Sequence, residues 1–507
     1  MASLSTTHVV IGGGIVGAAT AFALTARGER VLLLEQHGRG HDRGSSHGAS
    51  RIFRQGYADA EYVDLTTRAL DLWEALERRS GTTLIDRTGA VDHGRPDAVD
   101  AIAAALTDAG VPHETLSPDD AAARWPGIAF EGHVLAHATA GRIRSAAALE
   151  VFLTLAERTG LADLRFGTRV TGIEDHGDDA TVSFISDDVD VETVRTASVV
   201  AAVGSWAPTL VGALLAGRGA GLPAVRVTQE QPAHFPSHLP DAAWPSFVHW
   251  GEGDGVYGLL TPGEGVKVGF HGTGPVVDPD RRDFVPVPAE AERLQAYVTR
   301  YVPGVDATKP TFISCLYDTT PDEDFVIDRR GPLTVATGFS GHGFKFAPLL
   351  GELVADLALG GTPLPRFALA RSAQPKSPGT TRSRGSGCLP LCAAAWRGPR
   401  AVPRRGPRAA AQRALHRPAL GELVHQPVEP LVDDLLLRVR LVPGDDLAHT
   451  LPVGDPRPVP RHQGPHLAVV EHGAVRFVAE ERRTPLPVHR VDRVRGHVHD
   501  LQIVNPG

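Results

Sequence analysis

The chain has 507 residues, 42% apolar and 22% charged, which is long enough for two or more domains with a substantial core. Its formal net charge of -8 is spread unevenly: residues 371–507 carry twenty Arg and one Lys, so the acidic excess belongs to the body and argues against a nucleic-acid-binding core. Three cysteines in this length point to a reducing compartment, and the most apolar stretch, residues 9–26, lacks a preceding basic flank and is broken by glycines, against a signal peptide or membrane span; a cytoplasmic protein with no membrane or nucleic-acid partner is expected.

The first predicted strand, residues 9–11, runs into Gly12-Gly13-Gly14-Ile15-Val16-Gly17, a GxGxxG that opens a helix with small or apolar residues at Ala18, Ala19, Phe22 and Ala23. Gly12 makes the turn, Gly14 admits a pyrophosphate and Gly17 lets helix and strand pack closely. A second strand, residues 31–34, ends at Glu35, whose carboxylate can accept from ribose hydroxyls. This spacing predicts dinucleotide binding and leaves FAD and NAD both open. Residues 37–50 read as a Gly, Ser and His-rich loop that delivers Arg51 and Arg54. Such a pair is either a solvated face or a clamp for cofactor and substrate carboxylate.

Residues 62–79 read as a helix with Leu65, Ala69, Leu72, Trp73 and Leu76 on one stripe and Gly81 beyond its end. A strand over 88–94, a helix over 97–109 and a helix start at Ser117-Pro118-Asp119-Asp120 follow, the last ended by Arg124-Trp125-Pro126-Gly127. A helix over 146–159 precedes a strand over 163–170, alternating strands at 173–174 and 181–185, and a buried strand over 199–203. Between 222 and 315 the pattern turns to strands, at 225–231, 256–260, 266–271 and 312–317. Helices and strands alternating, then hairpins, predict a doubly wound cofactor domain interleaved with a sheet-rich second domain.

In the strand over 266–271, Lys267, Gly269 and His271 share one face and Val268 and Phe270 the other. On a solvent face the Lys and His are ordinary; lining a cavity they become a proton-handling and charge-stabilising pair. Cys315 has no nearby cysteine for a disulfide or a tetrahedral metal site, so it is a buried apolar residue or a reactive thiol. No metal ligand set is expected in the body. Residues 338–345, Gly-Phe-Ser-Gly-His-Gly-Phe-Lys, lie between a strand-like run and a helix-like run over 346–359, where glycines let backbone N–H groups approach an anion.

Taken together, Ser46-His47-Gly48-Ala49-Ser50-Arg51-Ile52-Phe53-Arg54, Arg124-Trp125-Pro126-Gly127-Ile128, Lys267-Val268-Gly269-Phe270-His271, Cys315-Leu316-Tyr317 and the 338–345 loop resemble the monomeric sarcosine oxidase and N-methyltryptophan oxidase family of FAD-dependent amine oxidases, over residues 8–370. The resemblance implies an α/β fold in which a Rossmann-type FAD-binding domain (about 1–90, 146–221 and 316–370) interleaves with a mixed-sheet substrate domain (about 91–145 and 222–315). It implies FAD held covalently through Cys315, a monomer, and a small amino-acid substrate oxidised at its C–N bond with O₂ reduced to H₂O₂. The implied cofactor set is Gly12, Gly14, Gly17, Glu35, His47, Arg51, Val170, Cys315, Gly341, Gly343 and Lys345. Arg51 and Lys345 are implied beside flavin and substrate carboxylate, Lys267 as the group that activates oxygen, and His271, Tyr317 and Tyr257 as pocket residues. Ser46 stands where sarcosine oxidase has a histidine, which implies a drift in substrate preference. An oxidase of cyclic or sugar-modified amino acids and a noncatalytic FAD-binding protein are the alternatives.

After Leu369 the composition changes, and residues 371–507 have no Tyr, no Met and eighteen of the forty prolines. An irregular, disordered extension is expected there. Such Arg, Pro, Ala and Gly enrichment is also what a GC-rich gene yields when read out of frame, and a frameshift is the reading adopted; resequencing the gene checks it. Cys388 and Cys392 fall in this segment with no companion pair.

Overall fold

The computed structural model describes residues 8–186, 190–251 and 255–371 of one compact unit, and 466–471 with 474–479 of a second. In the second unit the described residues are an antiparallel hairpin, His466–Glu471 with Ala474–Ala479. The remaining residues of the proposed frameshifted segment, Cys388 and Cys392 among them, lie outside the described residues.

Two sheets organise the first unit. The smaller has six strands in the order Val326–Arg330, Leu333–Thr337, Ser198–Ala201, His8–Ile11, Val31–Leu34 and Ala162–Arg165, parallel except at its first edge. Its central strands are buried on both faces, as expected of parallel strands covered by helices. The helix Ile15–Ala26 packs there against Ala347–Ala358, and a Cβ on Gly351 would lie 2.6 Å from the Ala19 carbonyl oxygen, so the two backbones touch. Ala60–Ser80 buries Leu65, Ala69, Trp73 and Leu76 as its periodicity predicts; Asp59 caps its start by accepting from Glu61 and Tyr62, and Gly81, at φ +69°, ends it.

The larger sheet has eight strands, ordered Thr311–Phe312, Ala233–Phe235, Gly265–Phe270, Val256–Thr261, Ser246–Trp250, Ala90–Gly94, His133–His137 and Glu114–Leu116. Neighbours are antiparallel except Ser246–Trp250 with Ala90–Gly94. Val266 and Val268 of Gly265–Phe270 enter a core shared with the helix Pro288–Tyr301, which turns Lys267 to the other face. The predicted alternation therefore holds, and the face that carries Lys267 is not solvated.

Two strands predicted as continuous are interrupted. The run over 163–170 is Ala162–Arg165 in the six-stranded sheet and then Thr168–Asp175 in a separate three-stranded one. Gly167, at φ +68°, makes the turn, and its N–H donates to the His37 carbonyl. The run over 312–317 is Thr311–Phe312 and Cys315–Thr319, opposite Ala233–Phe235 and Arg226–Glu230. Pro232 stands at the break on the facing strand and has no N–H to give the ladder. The sequence reading also passed over the helices Ala207–Gly217 and Pro288–Tyr301 and the strands Ser50–Phe53, His133–His137 and Ser246–Trp250.

Candidate functional site

A cavity of about 2080 Å³ runs from the glycine turn after the first strand to the face of Gly265–Phe270 that carries Lys267. Of the residues that the resemblance implies at the cofactor and substrate, Gly17 alone does not line it. A Cβ there would sit 1.9 Å from the Gly12 carbonyl oxygen, so Gly17 serves the close packing of helix on strand. Gly12 has φ +101°, and a Cβ on it would meet the Ala202 carbonyl oxygen at 2.4 Å. Gly14 caps the helix, whose first N–H, that of Ile15, donates to Ser46 Oγ at 3.0 Å.

Glu35 closes this end. Its Oε2 accepts from Gly13 N–H at 2.6 Å and its Oε1 from His37 N–H at 2.9 Å. Burial pushes the carboxyl up, but hydrogen bonds from His41 and Gly13 outweigh it and hold Glu35 below the usual carboxylate range. His37 Nε2, His47 Nε2 and Ser205 Oγ are buried on the same cavity and have no hydrogen-bond partner among the described residues. Val170, from Thr168–Asp175, lines the wall nearby. A glycine turn without room for side chains, a helix N-terminus, an anionic acid at the end of the second strand and unmet polar atoms together fit a dinucleotide.

At the other end, Lys267 is 4% exposed and donates from Nζ to the Ser50 carbonyl at 2.8 Å. Burial, and next the positive charge of Arg51, push its ammonium down to about 7. Arg51 is itself occupied: Nη1 donates to the Ser50 carbonyl at 2.9 Å, and Nη2 to those of Ser45 and His47 at 2.8 and 2.6 Å. Its guanidinium lies 5.5 Å from the Phe344 ring. Burial and then Arg51 hold His47 at about 4, so its imidazole is neutral near pH 7.

Cys315 begins its strand opposite Glu230 and is part-buried on the cavity. Tyr317, two residues on, packs against the backbone of Gly341, where a Cβ would lie 2.2 Å from its ring. Its ring centroid is 5.3 Å from that of His271, and its side chain is hydrogen-bonded to that of Tyr257. Gly341, at φ +75°, thus brings the 338–345 loop onto the cysteine strand, while Gly343 lets the loop close on its own Phe339, so these two segments are parts of one site.

Lys345, 7% exposed, donates from Nζ to Tyr57 Oη and the His342 carbonyl, both at 2.9 Å. Burial, and then the charge of Arg54, hold it well below the usual lysine range. Arg54 and Lys345 share an aromatic platform, lying 5.0 and 5.4 Å from the centre of the Tyr57 ring. The cavity therefore has two cationic stations, Lys267 with Arg51 and Lys345 with Arg54.

Sequence reasoning did not single out Tyr57, Asp92 or Asp318. Burial pushes the Asp318 carboxyl up to about 6, although it accepts from Gly338 N–H at 2.8 Å and Thr337 Oγ1 at 3.1 Å. A signal was available: an aspartate inside an apolar strand run is disfavoured, and both Asp92 and Asp318 stand in such runs.

Residues 7–357 match the family described as FAD dependent oxidoreductase. The chain is 37% identical over 373 residues to monomeric sarcosine oxidase from Streptomyces avermitilis, covering 70% of this chain and 94% of that protein. It is 31% identical over 383 residues to N-methyl-L-tryptophan oxidase from Salmonella agona, covering 72% of this chain and 99% of that protein. Among solved structures, NikD, an unusual amino acid oxidase essential for nikkomycin biosynthesis, is similar with a TM-score of 0.62 at 28% identity, over 72% of this chain and 98% of that one. L-proline dehydrogenase from P. horikoshii is similar with a TM-score of 0.62 at 25% identity, over 72% and 96%. The dinucleotide end and these matches agree: the chain belongs to the FAD-dependent oxidoreductase family.

Proposed function

We propose that this FAD-dependent amine oxidase acts on secondary amino acids, with sarcosine or another N-methyl amino acid as substrate, and yields an imine and H₂O₂. The observation that carries the reading is the convergence of Arg54 and Lys345 on Tyr57, in the cavity that Lys267 and Cys315 also line. A carboxylate that leaves water needs paired, charge-assisted donors, and two cations on one platform supply them. The sequence-based pairing of Lys345 with Arg51 is accordingly moved to Arg54, while Arg51, fastened to three loop carbonyls, is assigned to the cofactor side.

FAD, when bound, accepts a hydride equivalent from the carbon beside the substrate nitrogen and passes the electrons to O₂. The chain's own residues prepare for this. An incoming carboxylate brings the counter-charge that lets Lys345 keep its proton despite burial. His271 and Tyr317 flank the amine end. Lys267 sets a fixed positive charge where oxygen gains its first electron. Gly12, Gly14 and Glu35 hold the nucleotide, and His47 and Val170 border it. The six-stranded sheet, drawn from segments within 1–90, 146–221 and 316–370, supports assigning those segments to the cofactor. The eight-stranded sheet likewise supports assigning 91–145 and 222–315 to the substrate. A cytoplasmic monomer completes the proposal.

Cys315 is proposed to tether the flavin. After acid precipitation the yellow colour should stay with the wild-type polypeptide and leave with the supernatant in Cys315→Ser. The wild-type enzyme should release peroxide with sarcosine or N-methyltryptophan in a panel that also holds cyclic and sugar-modified amino acids. Flavin-loaded protein that makes peroxide from none of them would overturn the catalytic reading.

A further inference from the structure

We infer that Asp92 is a positioning residue for the substrate carboxylate, holding Arg54 and Trp250 in the cavity wall through one buried anion. The inference rests on the assignment of Arg54 and Lys345 as the carboxylate site. Asp92 is 0% exposed and sits in the middle of Ala90–Gly94, where an aspartate weakens the strand and needs a compensating use. Its Oδ1 accepts from Trp250 Nε1 at 3.0 Å and faces Arg54 Nη1 at 3.4 Å. Its Oδ2 is bonded to His137 Nε2 at 3.1 Å. Asp92 does not line the cavity, whereas Arg54 and Trp250 both do. The Arg54 guanidinium lies 5.6 Å from the Trp250 ring, so one carboxylate sets both a cationic and an aromatic wall.

The surroundings are shaped for this contact. A Cβ on Gly56 would fall 2.7 Å from Asp92 Oδ2 and 3.1 Å from Arg54 Nη1, so backbone without a side chain passes beside the pair. The Arg54 side chain is 12% exposed and stands near Lys345. Without its anion, a buried guanidinium next to a second basic group is uncompensated and swings toward water, away from the place where a substrate carboxylate meets Lys345. A residue that served the fold alone would have no reason to act on bound anions more than on neutral ligands.

The test uses flavin-loaded enzyme and two probes, (methylthio)acetate and its carboxamide, in which sulfur replaces the amine and oxidation is blocked. Binding is followed through the flavin absorbance. Asp92→Asn should weaken the acid roughly 10-fold or more and the amide less than about 3-fold, with partial recovery in Asp92→Glu. Equal losses for both probes, or an acid bound as tightly as before or more so, would overturn the inference. Should Asp92→Asn not fold, His137→Gln, which loosens the Oδ2 anchor, is measured in the same way and read by the same two outcomes. Arg54→Met separates this inference from its premise. If that variant keeps the preference for acid over amide, the carboxylate site itself is misassigned; if it loses the preference while Asp92→Asn keeps it, the inference about Asp92 alone is wrong.

Discussion

Replacing Lys267 by Met should slow the oxygen-dependent half of turnover by roughly 10²–10³-fold while leaving anaerobic bleaching by substrate within about 3-fold. The expectation follows from placement. Lys267 extends from the middle of a strand whose opposite face is packed core, and it is fixed by one hydrogen bond to the Ser50 carbonyl. A preorganised, buried ammonium stabilises charge arriving on oxygen without having to reorient. Stopped-flow mixing of reduced enzyme with O₂ measures this step apart from the amine step. Equal slowing of both steps would instead make Lys267 a general structural support.

The same burial gives the residue a pH signature. Its folded-state value, about 7, lies below its ordinary 10.5, so the folded chain binds fewer protons than the unfolded chain between those limits. Lys267 therefore costs stability in full below pH 7, and the cost fades as pH rises toward 10.5. From that shift the cost is at most roughly 5 kcal/mol. Lys267→Met apoprotein should melt higher than wild type near pH 6, with the gap closing by pH 10. In the wild type, the oxygen step should weaken as pH climbs past the point where the ammonium loses its proton.

Local rules explain which parts of this architecture were readable. The glycine turn, its helix and Glu35 depend on backbone conformations that only certain residues adopt, so spacing alone located the nucleotide end. The two-residue period likewise separated Lys267 and His271 from Val268. The interrupted strands escaped because their breaks answer to partners distant in sequence, Gly167 to the His37 carbonyl and Ile313 to the Pro232 carbonyl opposite. The choice between Arg51 and Arg54 escaped for the same reason. Both follow one loop three residues apart, yet Arg51 folds back on its own loop, whereas Arg54 reaches an aspartate 38 residues away. Nothing in that loop states which arginine will find an acid.

Arg54→Met is the second large effect: KM for an amino-acid substrate should rise on the order of 10²-fold, with kcat changed less than about 5-fold. A hydrogen bond to a charged group contributes about 1.5–3 kcal/mol, and a clamp that loses one of two cations loses at least one such bond. The second cation substitutes for the first only in part, because Lys345 is buried with Tyr57 and the His342 carbonyl as its partners and is short of counter-charge. Removing Arg54 eases the repulsion that lowers Lys345, so Lys345 should hold its proton to higher pH in this variant and preserve part of the affinity. Arg54→Met, Lys345→Met should then lose more than the product of the two single losses, because the compensation that Lys345 gives the Arg54 variant is gone, the mark of two groups that share one ligand and repel each other. Losses that multiply independently, measured as KM for sarcosine in the four-member cycle, would place the two cations at separate sites.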